Sequence, residues 1–76
     1  MDVTFMREYE QLGLNIGYYR KAKGLTQLDL ADLTGVSETH ITRVENYNGA
    51  ASLDLVFKIA RALEVTPEKL FEMRLR

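Results

Sequence analysis

Residues 26–46 read TQLDLADLTGVSETHITRVEN, and the fold turns on how that stretch divides. Thr26-x-x-Asp29 is a relative of the capping box, with Asp in place of Glu or Gln, and it predicts a helix start at Thr26. Leu30, Ala31 and Leu33 form the inward face, and the pattern stops at Gly35. Ser37 is an N-cap type that opens a third helix, ending near Asn46 with Ile41 and Val44 as its buried stripe. Two short helices joined by a tight glycine turn meet at a steep angle. The second is therefore propped outward by the first. Its predicted outer side carries Thr39, Thr42, Arg43 and Asn46, flanked by Glu38 and His40, with no apolar residue among them. A propped helix with a hydrogen-bonding face has the shape that enters a DNA major groove.

The flanking sequence completes an all-helical pattern. Before Thr26, Phe5, Tyr9, Leu12, Ile16 and Tyr19 recur at helical spacing, which predicts a first helix over 4–23. Lys21 and Lys23 suit its negative end, and Gly24 supplies the left-handed residue that stops it. After the loop YNGAA at 47–51, Ser52 caps a fourth helix with Leu53, Val56, Ile59, Ala60 and Leu63 facing inward. Thr66-Pro67 opens a fifth, with proline at the position where its missing N–H is harmless. Val65 and Leu70 have the spacing of a hydrophobic staple. No strand-length alternation and no repeat occurs. The expected fold is all-α, five helices in one small domain over 1–76.

Composition narrows the chemistry. The 76 residues contain no cysteine and one histidine, His40, so neither a thiolate nor a histidine-rich metal site is expected. No apolar run approaches the roughly 20 residues of a spanning helix. The N-terminus lacks a signal-peptide pattern, and a cytoplasmic location is expected. No nucleophile has a base at plausible spacing, so no enzyme, cofactor or small-molecule ligand is expected. The net charge of −1 argues against strong nonspecific nucleic-acid binding, which favours basic surfaces.

At this point the sequence resembles a known family. Leu12-Gly13, Ile16, Arg20, Gly24-Leu25-Thr26-Gln27, Leu30-Ala31, Gly35-Val36-Ser37, Ile41 and Val44-Glu45 are similar to the Cro/phage-repressor (XRE) helix-turn-helix family. Ser52-Leu53 through Leu70-Phe71 resembles its fourth and fifth helices, so the likeness spans about 12–71. The resemblance implies a lambda-repressor-like fold and a transcriptional regulator that binds double-stranded DNA as a homodimer on a palindromic operator.

It also implies roles for particular residues. Gln27 would bond a phosphate and brace helix 3, and Ser37 would join capping to a phosphate contact. Glu38, Thr39 and Arg43 would reach base edges, with His40, Asn46 and Asn48 nearer the backbone. Arg20 and Glu45 would form a partly buried structural ion pair. The dimer would form through the Leu63–Phe71 region; Met73 and Leu75, beyond the likeness and at two-residue spacing, fit either an extension of that interface or a frayed C-terminal turn.

Plainer readings stand beside these. The helix dipole alone favours Glu38 at its position. Arg43 and His40 fit a solvated helix surface, and Tyr47 fits either a phosphate contact or loop packing. The loop NYNGAAS at 46–52 has no lysine or arginine, which implies a shallow salt dependence. The alternative function is a protein-interaction module of the same fold, antitoxin-like or anti-repressor, with weak DNA binding.

Overall fold

Side-chain caps set where three of the α-helices begin. The computed structural model describes residues 3–46 and 51–74. A 3₁₀ turn over Val3–Phe5 leads into α1, Met6–Ala22. Gly24, at φ +76°, turns the chain away from α1 in a conformation costly for any residue with a Cβ. Thr26 then caps α2, Gln27–Thr34, with a complete capping box. The Thr26 hydroxyl accepts from the Asp29 N–H at 3.0 Å, and the Asp29 carboxylate accepts from the Thr26 N–H at 2.9 Å. Asp therefore does the work of the longer Glu here. Gly35, in the left-handed region, ends α2. Ser37 caps α3, Glu38–Glu45, by accepting from the His40 N–H at 3.1 Å. Ser52 caps α4, Leu53–Leu63, and Pro67 stands first in α5, Pro67–Leu70.

The core forms where the five helices converge. Leu12 and Ile16 of α1, Leu30 and Ala31 of α2, and Ile41 and Val44 of α3 meet Leu55, Val56, Ile59, Ala60, Leu63 and Leu70. Val65 packs on this cluster, of which the fully buried Leu70 is a member. Two inward assignments fail, and Phe5 leaves the helical series expected of α1. Phe5, Leu33 and Leu53 are each more than half exposed. Phe5 belongs to the 3₁₀ turn, not to α1, so it lies off the helical stripe. Leu33 lies in the last turn of an eight-residue helix whose core contacts come from Leu30, Ala31 and Thr34. Leu53 is the first residue of α4, and Leu55 takes the buried place.

The approach of α1 to α3 depends on an absent side chain. A Cβ at Gly13 would lie 2.5 Å from the Glu45 carbonyl oxygen and 2.6 Å from that of Val44. Backbone therefore packs on backbone. On another side of α1, Asn15 is buried and donates through Nδ2 to the carbonyls of Leu70 and Glu72, both at 2.9 Å. Gln11 donates to Asn15 Oδ1 and accepts from the Arg74 N–H at 2.6 Å. These two amides hold residues 70–74 along α1.

Two outcomes follow from this packing. Gly13→Ala should destabilise by about 1–3 kcal/mol, because the new methyl meets carbonyls, not a side chain able to move. In a domain this small each kcal/mol is worth roughly 4–8 °C of melting temperature, so thermal unfolding reads it directly. An unchanged melting temperature would mean that α3 can retreat at no cost.

The second concerns acid. Asp29 is held below its ordinary value of 3.8, first by the Thr26 backbone N–H and then by the Thr26 hydroxyl. A carboxyl depressed by folding stabilises above its unfolded pKa, and loses that contribution as pH falls through the lower folded value. Denaturant midpoints should therefore fall between about pH 5 and pH 2, and less steeply in Asp29→Ala. An identical slope in the variant would remove Asp29 from the acid response.

Candidate nucleic-acid interface

Ser37, Glu38, Thr39, His40, Arg43 and Asn46 are all exposed, while Ile41 and Val44 face the core. Thr39, Arg43 and Asn46 follow one another at steps of four and three, and so share one face of α3 and its C-cap. Asn48 and Tyr47 lie outside the described residues, as does Leu75. The structure therefore brings together the exposed residues expected on α3.

Beneath that face lies a polar assembly tying α3 to α1 and α2. Arg20 grips Glu45 with two nitrogens, Nε to Oε2 at 2.6 Å and Nη2 to Oε1 at 3.0 Å. Both side chains are under a tenth exposed. The third direction of the guanidinium is satisfied as well, since Nη1 donates to the Leu25 carbonyl at 2.8 Å. Gly17 makes room for this pair, because a Cβ there would sit 3.3 Å from Glu45 Oε1.

Gln27, first residue of α2, reaches the same carboxylate, with Nε2 donating to Glu45 Oε1 at 3.1 Å. Its carbonyl oxygen accepts from the Thr42 hydroxyl at 2.8 Å. The bracing role expected of Gln27 is thus present in atomic contacts. Thr42 departs from expectation: it is half-buried and turned toward α2, because Gln27 offers its hydroxyl an acceptor that water on the outer face would otherwise supply. Among the described residues, every buried side-chain polar atom has a partner.

The exposed face is mixed in charge, with Glu38 in the first turn of α3 and Arg43 in the last. Among the described residues Arg43 enters no salt bridge, whereas Lys23 pairs with Glu64, and Lys69 and Arg74 pair with Glu72. No group of side chains capable of holding a metal ion occurs among the described residues, and no helix there is long and apolar enough to cross a membrane. Sequence reasoning missed Thr42 as a contact of Gln27 and missed the close approach at Gly13. The pairing of a hydroxyl residue with a glutamine 15 positions away is a weak signal that only the turn geometry makes readable.

Comparison with known proteins agrees with this geometry. A family model described as helix-turn-helix matches residues 16–70. The control protein C.SmaI of Serratia marcescens is 33% identical over 69 residues, covering 91% of this chain and 82% of that protein. Among solved structures, the restriction-modification controller protein C.AhdI of Aeromonas hydrophila superposes with a TM-score of 0.81 at 35% identity, over 83% of this chain and 96% of that one. The biofilm master regulator SinR, solved in complex with DNA, gives 0.76 at 27% identity, over 80% and 98%.

The ion pair generates a clear expectation. Glu45→Ala leaves Arg20 desolvated with no carboxylate, a change that costs about 3–5 kcal/mol when burial is complete and somewhat less at this slight exposure. Melting temperature should fall markedly, with DNA sequence preference less affected than stability. A variant as stable as the parent would show that the pair does not hold α3.

Proposed function

The chain belongs to the XRE-type helix-turn-helix family, and on that premise we propose that it is a transcriptional regulator that reads duplex DNA with α3 in the major groove. The observation that carries this reading is the exposed polar face of α3 mounted on the Arg20–Glu45–Gln27 assembly, which fixes the helix without using its outer side chains. Arg43 is suited to guanine O6 and N7, Thr39 to an edge group or the thymine methyl, and Glu38 to the cytosine amino group. Ser37, His40 and Asn46, with Gln27 at the start of α2, are proposed to contact the DNA backbone beside them, as is Asn48. Repression by occupying an operator is the simplest mechanism. The likeness to two control proteins and to a regulator solved with DNA supports the class of activity.

The site is proposed to work as a homodimer on a palindrome. Within the Leu63–Phe71 stretch, Leu63 and Leu70 are committed to the core, so the contact would fall to Val65, Pro67 and Phe71 with Phe57 of α4. Phe57 and Phe71 are about half exposed, which makes them apolar area available for burial. Dimerisation would bring two half-sites to act together and compensate for a surface with little counterion release.

Selection of duplexes from a random library at low salt tests the proposal. Enrichment of a palindrome with half-sites about one helical turn apart is expected. Arg43→Ala should then lose about 1–3 kcal/mol of discrimination at one base pair, and leave the other positions unchanged. A folded protein that enriches no sequence would favour the protein-interaction module, the reading to which the net charge of −1 lends weight.

A further inference from the structure

Thr42 has no task in the reading of α3 as a recognition helix. Its hydroxyl lies 2.8 Å from Gln27 Oε1 and 3.0 Å from the Glu38 carbonyl oxygen. A hydroxyl has one proton, so it serves one of these acceptors at a time. The orientation of the Gln27 amide follows from its other neighbour. Glu45 Oε1, already an acceptor for Arg20, lies 3.1 Å from the amide and demands a donor, so nitrogen faces Glu45 and oxygen faces Thr42. One amide hydrogen is then used on Glu45. The other has no acceptor among the described residues, and it sits at the first position of α2, where first-turn N–H groups also lack helical partners.

We propose that Thr42 is a positioning residue for DNA binding: its hydroxyl pins the Gln27 oxygen inward, so that the remaining Gln27 N–H is presented to a phosphate oxygen of the DNA backbone beside α3. This rests on the DNA-binding reading above. The consequence is sequence-independent, because a phosphate contact strengthens all duplexes alike, whereas a base contact strengthens one. It assigns Thr42 to affinity, not to selectivity, although it lies in the recognition helix.

The test compares the parent, Thr42→Val, Thr42→Ser, Gln27→Ala and the Thr42→Val/Gln27→Ala double variant. Each is checked for folding by circular dichroism and titrated against the selected operator and a random duplex. Thr42→Val keeps the branched shape without the hydroxyl, and should weaken binding to both duplexes by about three- to tenfold, the worth of one hydrogen bond. Thr42→Ser should stay within about twofold of the parent. In the Gln27→Ala background the valine should cost nothing further, because its effect runs through the missing amide.

Should Thr42→Val not fold, Thr42→Ala removes the same hydroxyl in a better helix former and repeats the comparison. Parent-like affinity of the folded hydroxyl-free variant overturns the proposal. So does a loss that persists undiminished without Gln27, and so does a changed preference at one base pair, which would make Thr42 a base reader. A parent protein that binds neither duplex refutes the DNA-binding reading itself, and shows this before any variant is compared.

Discussion

The Arg20–Glu45 pair is the constraint from which the arrangement of α3 follows. Apolar contacts through Ile41 and Val44 hold α3 against the core, but such contacts are non-directional and tolerate rotation and sliding. A guanidinium fork meeting a carboxylate at two points tolerates neither. Because both groups are nearly buried, the geometry that satisfies them is strongly preferred over any that separates them. Gln27 then transmits the same constraint to the start of α2, so three helices are referenced to one carboxylate. The glycines at 13 and 17 are part of the same solution, since they set the distance at which the fork can close.

Some of the charge beyond this buried pair is matched in exposed pairs. Elsewhere, Lys23 meets Glu64, and Glu72 is shared by Lys69 and Arg74. These exposed pairs add little stability. Their effect is to match the carboxylates near α4 and α5 with cations, and Glu64 and Glu72 are held below the ordinary carboxylate value, chiefly by hydrogen bonds from Lys23 and Arg74 respectively. An overall charge of −1 therefore does not mean a uniformly acidic surface.

Much of this architecture is legible in the sequence because local chemistry decides it. Thr26, Gly35, Ser37, Ser52 and Pro67 mark helix ends by backbone rules that need no tertiary context. The Arg20–Glu45 pair is legible only through family resemblance, since nothing in a spacing of 25 residues predicts contact. What stays hidden is geometry that arises between helices. Leu33 and Leu53 look like core on an ideal wheel, but they lie at helix ends that project past their neighbours. Gln11 and Asn15 look like ordinary surface amides, yet both are buried, Asn15 donating to carbonyls and Gln11 accepting from a backbone N–H, all more than 50 residues away. For the candidate site, the exposed list is readable from periodicity, and the inward turn of Thr42 is not.

The side chains of Glu38, Thr39, His40 and Arg43 make no hydrogen bond to the body of the protein among the described residues, while Arg20, Gln27, Thr42 and Glu45 make the side-chain bonds that tie α3 to α1 and α2. On the proposed reading, base recognition and the mounting of α3 would fall to separate sets of residues on one short helix. Such a helix is modular in the engineer's sense: its outer letters are replaceable while its mounting stays fixed. On that reading, exchange of the four outer residues for another set would change the target with little stability to recover, and the fold could explore binding partners without passing through unfolded intermediates in sequence space.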